Sequence, residues 1–101
     1  MAEAPDDLDE LVRAVSNSTR RRILRLCVDR HIPAGSIASE IDLAPASVSE
    51  HLKVLRKTGL VELERTGTSW RYRTDRARTA VVLERLAADL PTSGEPTRSA
   101  S

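Results

Sequence analysis

Phenylalanine is absent from this 101-residue chain, and tryptophan and tyrosine occur once each. A core must therefore be built from Leu, Val, Ile and Ala, as in many helical proteins. Cysteine also occurs once, at Cys27. That excludes an intrachain disulfide and any metal cage made only of cysteines from one chain. No stretch approaches the roughly 18 apolar residues of a membrane-spanning helix, so no membrane partner is expected. The start carries Glu3, Asp6, Asp7, Asp9 and Glu10 and has no apolar centre, unlike a signal peptide. A cytoplasmic protein is the expectation. An excess of either charge is missing too: Lys+Arg is 16 and Asp+Glu is 15, a formal net charge of +1.

That balance hides a split. After the acidic start come Arg20, Arg21, Arg22 and Arg25, and the middle of the chain is richer in base than in acid. Fourteen of the 16 basic residues are arginines, the side chain that forks onto phosphates and guanine edges. The length suits one domain, expected over residues 6–90, and a domain this small often gains stability by pairing with a copy of itself. Residues 91–101 are Pro, Thr, Ser, Gly, Ala, Glu and Arg, too polar to pack, and read as a disordered tail.

The apolar spacing sets the elements. Leu8, Leu11, Val12 and Val15 predict a first helix, with Asp6 or Asp7 as its cap and an end near Ser16 and Asn17. Ser18 or Thr19 starts a second, through about Asp29, with Ile23, Leu24, Cys27 and Val28 inward and Arg20, Arg21, Arg25 and Arg22 toward solvent. Ile32-Pro33-Ala34-Gly35 breaks the pattern. A short third helix over about Ser36 to Ile41 leads through Asp42-Leu43-Ala44 into a fourth. There Pro45 stands at the first helical position, where its missing N–H is harmless. Val48, Leu52 and Leu55 form the buried stripe, and Gly59 suits the left-handed position past the end near Thr58. The period then changes to two. Val61 and Leu63 alternate with Glu62 and Glu64, Thr66-Gly67-Thr68-Ser69 forms a tip, and Trp70 and Tyr72 alternate with Arg71 and Arg73. Alternation puts Val61, Leu63, Trp70 and Tyr72 on the core-facing side of a two-stranded sheet. A last helix spans about Arg76 to Asp89, capped by Asp75 and stopped by Pro91.

Two short helices joined by a tight turn, the second exposed, form a helix-turn-helix, and the hairpin after it makes the motif winged. The expected fold is mainly α with a two-stranded β wing, in the order α-α-α-α-β-β-α. Here the resemblance becomes specific. STRRRILRL in the second helix, SIASEIDLAPASVSEHLKVLRKTGLV across the helix-turn-helix and TGTSWRYR in the wing resemble the ArsR/SmtB (arsenic-repressor-like) family of bacterial repressors. The match covers roughly residues 8–90. PAGSIA followed by HLKVL looks most like the branch without the usual metal-binding motifs.

The resemblance implies a homodimeric repressor on a pseudo-palindromic double-stranded DNA operator, released by an unknown effector. It places the dimer interface on the first and last helices, whose candidate residues are Leu8, Leu11, Val12 and Val15 on the first and Thr79, Val82, Leu83, Leu86 and Leu90 on the last. Two apolar-striped terminal helices in need of cover agree with that. In the fourth helix Pro45, Ala46, Ser47, Glu50 and His51 are left toward the groove or its edge. Ser47 can donate to a base or phosphate, and Pro45 and Ala46 offer apolar contact. Ser49 and His51 match the family's Ser-x-His pattern. Lys53, Arg56 and Lys57 are phosphate ligands or a solvated face. Glu50 stands where most members carry a polar or basic residue, and Ala44 where they carry a hydroxyl cap. At the wing Arg65, Arg71 and Arg73 can reach phosphate or a minor groove, unless Arg73 pairs with Glu62 or Glu64.

The family's metal sensors carry paired thiols in the helix before the recognition helix, or acidic and histidine ligands in the last. This chain has Ile37-Ala38-Ser39 at the first place and no histidine after His51, so no metal and no cofactor are expected. Cys27 and His31 would face one another only if the second helix continued, and two ligands are too few for a tetrahedral site. No carboxylate pair, nucleophile–base pair or phosphate loop points to an enzyme. A protein-interaction module without specific DNA binding, motivated by Glu50 and the low net charge, is the competing reading.

Overall fold

A computed structural model describes residues 7–91; the expected loose start and the tail beyond Pro91 lie outside them. Five helices and a small sheet follow one another as α1 (Leu8–Val15), α2 (Ser18–Leu26), β1 (Ile32–Pro33), α3 (Ala34–Ile41), α4 (Pro45–Lys57), β2 (Val61–Thr66), β3 (Ser69–Thr74) and α5 (Arg76–Asp89). This is the winged helix-turn-helix order read from the sequence, with one addition. Ile32 and Pro33 pair antiparallel with Tyr72 and Arg71, so the sheet is three-stranded in the order β1-β3-β2. Pro33 is tolerated because β1 is an edge strand.

Helix limits follow local chemistry. The Asp7 carboxylate accepts from the Asp9 N–H at 3.0 Å and caps α1. Helix α2 starts at Ser18, as expected, and Asn17 caps it, its side-chain oxygen accepting from the Arg20 N–H at 2.9 Å. Helix α2 ends at Leu26, three residues before the expected Asp29, which itself takes a left-handed backbone with φ 58°. Asp42 does the same between α3 and α4, at φ 54°. Asp75 caps α5 by accepting from the Arg78 N–H at 2.9 Å.

The end of α4 is a Schellman turn. Gly59 sits at φ 78°, its N–H donates to the Arg56 carbonyl at 3.0 Å, and the Leu60 N–H reaches back to Leu55 at 2.9 Å. This turn places Leu60 in the core and starts β2 in the right direction.

The core is one apolar cluster. Leu11 and Ala14 of α1, Ile23 and Leu24 of α2, Ile37, Ala38 and Ile41 of α3, and Val48, Leu52 and Leu55 of α4 meet Ile32, Leu60, Val61, Tyr72 and Val82. Leu52 is the sort of site where truncation to Ala costs about 2–5 kcal/mol. Two threonines enter this apolar interior with their hydroxyls satisfied: Thr58 donates to the Val54 carbonyl at 2.9 Å and Thr74 to that of Leu24 at 2.8 Å. The Thr74 bond, with Thr74 N–H on the Cys27 carbonyl at 3.1 Å, ties the far end of the wing to α2.

Cys27 is fully buried in this cluster. Burial pushes its thiol up to about 11, against a smaller pull downward from Arg30. At neutral pH it is an un-ionised thiol, the unreactive form. His31 does not face it, because the chain turns after Leu26. Its Nε2 lies 3.5 Å from the Glu64 carboxylate of β2 instead.

Candidate nucleic-acid interface

Helix α4 buries Val48, Leu52 and Leu55 and turns its other side outward. Pro45, Ala46, Ser47, Ser49, Glu50, Lys53 and Arg56 are all exposed, and His51 is half-buried at the edge. This is a 3.6-residue stripe seen from its polar side. Ala44 provides no side-chain cap, so the first turn of α4 closes only through backbone bonds, from Ser47 N–H and Val48 N–H to the Ala44 carbonyl at 3.0 and 3.1 Å.

The charges on this face are unequal in freedom. Glu50 lies 3.7 Å from Lys53, with both side chains about three-quarters exposed at 73% and 75%. Such a pair contributes little to stability but offsets part of the carboxylate's field. Lys57 leans away, to Glu10 of α1 at 3.4 Å.

His51 is held from below. Arg20 of α2 places its Nη1 3.2 Å from His51 Nδ1. The same guanidinium donates from Nε to the Ala14 carbonyl at 2.8 Å and from Nη2 to the Arg13 carbonyl at 3.0 Å. Arg21 donates to the Val15 carbonyl at 2.9 Å. The two arginines thus satisfy the Ala14 and Val15 carbonyls at the C-terminus of α1, and Arg20 adds a donor to the Arg13 carbonyl, which also accepts from the Ser16 N–H and hydroxyl. The expectation of a solvent-facing Arg20 is therefore corrected: it is half-buried and bonded to two neighbouring helices' groups. A signal was present. A helix ending at Ser16 needs donors, and the next helix brings arginines in its first turn. Burial, and secondly the Arg20 charge, push the His51 pKa below its ordinary value, while Glu50 acts weakly the other way.

The wing is a tight hairpin. Thr66 pairs with Ser69, leaving a two-residue loop whose first residue, Gly67, has φ 62°. Positive φ at that position is what a type II′ connection requires, and a side chain there would be strained. One face carries Val61, Leu63 and Arg65 opposite Thr74, Tyr72 and Trp70; the other sets Glu62 opposite Arg73 and Glu64 opposite Arg71.

Trp70 is the second correction. It shares the face of buried Tyr72, as alternation requires, but it is 45% exposed. The helices cover that face only as far as Leu63 and Tyr72. Beyond them the strands run free, and Trp70 stacks on its cross-strand neighbour instead, with Arg65 Cζ 4.7 Å from the ring centroid. The signal was Arg65 itself, which ends the apolar series Val61, Leu63 two residues before Gly67. Arg65 and Arg71 are exposed, and Arg71 Nε donates to the Ser69 hydroxyl at 3.3 Å. Arg73 is half-buried and stands opposite Glu62, with its Nε enclosed and unpartnered.

An exposed helix after a three-residue turn, followed by a hairpin with an arginine–tryptophan stack, is a nucleic-acid-binding arrangement. The comparisons agree. A family model described as a helix-turn-helix domain matches residues 15–64. The ArsR-like transcriptional regulator from Rhodococcus sp. RHA1 superimposes with a TM-score of 0.70 at 30% identity, covering 81% of this chain and 80% of that one. The chain belongs to the ArsR/SmtB-like superfamily of winged helix-turn-helix regulators. It is also similar to the homodimeric winged helix-turn-helix DNA-binding domain of Mb0332 from Mycobacterium bovis, with a TM-score of 0.68 at 25% identity over 92% of this chain and 94% of that one. Among characterised relatives, the transcriptional repressor SdpR of Bacillus subtilis is 32% identical over 59% of this chain and 67% of its own length. The transcriptional activator HlyU of Vibrio cholerae is 28% identical over 75% and 70%. In this superfamily the function is DNA-binding transcription regulation, a role without catalysis.

The terminal helices pack on each other, and their apolar residues divide into two sets. Leu11 and Val82 are wholly buried inside the chain's own core. Leu8, Val12, Val15, Thr79 and Leu86 are half-buried, while Leu83 at 53% and Leu90 at 50% stand exposed beside Val81. Among the described residues no cluster of three or more His, Cys, Asp or Glu could hold a metal ion, and no helix is long and apolar enough to cross a membrane.

Proposed function

We propose that this protein is a homodimeric transcriptional repressor that binds a pseudo-palindromic operator through α4 and the wing. The observation that carries the reading is the outward row Pro45, Ala46, Ser47, Ser49, Glu50, Lys53 and Arg56 on a helix whose opposite side is core. Ser47 and Ser49 donate to base or phosphate, Pro45 and Ala46 contact a thymine methyl, and Lys53 and Arg56 meet phosphate. Arg65 and Arg71 anchor the wing on the flanking backbone or minor groove. Arg73, half-buried and opposite Glu62, supports the strand more than it reaches outward.

Dimerisation supports two-fold reading. Leu83, Leu90 and Val81 leave an apolar strip on α5 that continues into half-buried Leu86 and, on α1, Leu8, Val12 and Val15. A second copy covers it, as the homodimeric Mb0332 domain suggests. Leu11 and Val82 then support the interface from within rather than forming it. Two α4 helices would enter successive major grooves about 34–36 Å apart. Repression would follow from occupying a promoter; the relative SdpR is a transcriptional repressor. We place the chain in a branch that does not use the superfamily's usual metal motifs, on the strength of Ile37-Ala38-Ser39 at the thiol position and the buried, un-ionised Cys27.

A fluorescence-polarisation titration against the gene's own upstream DNA and a random duplex tests this, with sedimentation to count chains. Tight, two-chain binding to the upstream duplex is expected. Equal and steeply salt-dependent affinity for both duplexes would remove the specificity claim. No binding to either, together with recovery of a protein partner on Glu50-bearing α4, would favour the interaction-module reading.

A further inference from the structure

We propose that Arg20 is a positioning residue for DNA recognition: its guanidinium holds His51 as a neutral imidazole with the proton on Nε2, so that His51 meets DNA as a hydrogen-bond donor. The inference rests on the reading of α4 as the recognition helix.

An arginine side chain has donors and no acceptor. With Nη1 3.2 Å from His51 Nδ1, that ring nitrogen must accept. A proton on Nδ1 would set two N–H groups against each other, so the neutral ring carries its proton on Nε2. Arg20 cannot simply swing aside. Nε and Nη2 are engaged by the Ala14 and Arg13 carbonyls at 2.8 and 3.0 Å, and its own backbone N–H is held by Asn17.

The surrounding charges favour the same state. From α2 the Arg20 cation opposes an imidazolium; from α4 Glu50 favours one, but it is drawn toward Lys53 at 3.7 Å. The shallow cavity of about 190 Å³ beside Arg20 is bordered by Glu10, Arg13 and Lys57, of which Glu10 and Lys57 pair at 3.4 Å. What remains is a half-buried neutral ring on the edge of the reading face. Its Nε2–H matches an acceptor such as guanine N7 or O6, or a phosphate oxygen. The same guanidinium also ties the C-terminus of α1 to α4.

The tautomer is read directly by long-range ¹H–¹⁵N correlation NMR on the full chain at about pH 7. The expected result is a neutral His51 with the proton on Nε2. In Arg20→Met the ring should become a mixture of tautomers and its pKa should rise toward the ordinary value. Affinity for the upstream duplex should then fall about tenfold, the loss of one well-formed hydrogen bond. Two substitutions at His51 keep the test independent of how well Arg20→Met folds. His51→Gln retains an N–H near the Nε2 position and should bind within about threefold of the parent, whereas His51→Asn does not and should lose about tenfold. In the His51→Asn background Arg20→Met should weaken DNA binding no further.

A parent chain that prefers its upstream duplex but carries the His51 proton on Nδ1, or a charged ring at about pH 7, overturns the role of Arg20 alone. So do equal losses for His51→Gln and His51→Asn. A parent chain that does not discriminate between duplexes overturns the reading of α4 itself, whatever the tautomer.

Discussion

Arg20 and Arg21 near the start of α2 direct their donors inward, onto the carbonyls of Arg13, Ala14 and Val15. Arg65 and Arg71 at the wing are exposed, braced by the Trp70 ring and the Ser69 hydroxyl. The residue type is the same and the surroundings decide its work. Beside a helix end with unpaired carbonyls, a guanidinium becomes part of the frame. At the tip of a hairpin that has outrun the helices, it stays available to a partner. A charge count near zero is therefore a poor guide to DNA binding here, since it averages arginines that are engaged with arginines that are free.

Arg20→Ala should have the largest effect of the changes that break this contrast. It removes three side-chain hydrogen bonds at a half-buried site and should lower stability by about 2–3 kcal/mol in chemical denaturation. A loss under about 0.5 kcal/mol would mean that the bonds to α1 are dispensable. Arg65→Ala and Arg71→Ala should do the reverse. Each should leave the unfolding curve within about 0.5 kcal/mol of the parent. Each should weaken DNA binding by about 1 kcal/mol and reduce the salt slope by about one. An unchanged salt slope in both would detach the wing from DNA.

Trp70→Ala sharpens the comparison further. A core tryptophan truncated to Ala costs about 3–5 kcal/mol. Trp70, 45% exposed and stacked on Arg65, should cost only about 1 kcal/mol, while releasing Arg65 and lowering DNA affinity a few-fold. A loss of core size on denaturant titration would contradict the exposed placement. The smallest expected effect is one of pH. The folded pKa of His51 lies below the ordinary 6.5, so the unfolded chain takes up this proton first as pH falls. The contribution of the neutral ring is whole above 6.5 and is lost as pH falls from there through the folded pKa. Thermal melts between about pH 7.5 and pH 5 should show a shallower acid-side decline in His51→Gln than in the parent. Parallel declines would place His51 in an unperturbed environment.

Much of this molecule is written in short-range pattern. Pro45 and Gly59 bracket α4, the stripe Val48, Leu52, Leu55 names its buried side, Asp75 caps α5, and the alternation from Val61 to Arg73 with Gly67 between makes a hairpin. Each of these rests on backbone preferences and periods that act within a few residues, so a single sequence carries them. The outward face of α4 follows by subtraction.

Longer-range relations were not legible in the same way. Ile32 and Pro33 read as a break and became an edge strand only because β3 lies alongside. Cys27 and His31 are four apart in sequence, yet the turn after Leu26 sends one into the core and the other to Glu64. Leu11 and Val82 belong to the apolar stripes of their helices, but the packing of α1 on α5 withdraws them into a single chain's core. Trp70 obeys its alternation and is still exposed, because periodicity assigns a side chain to a face and does not say how far the covering helices extend. The sequence by itself determined the five helices and the hairpin, their order and the side of each that is apolar, since these depend on local backbone geometry and the period of burial. Only the tertiary structure decided which arginines brace the fold and which remain free, since that depends on the carbonyls, rings and carboxylates that distant segments bring within hydrogen-bonding reach.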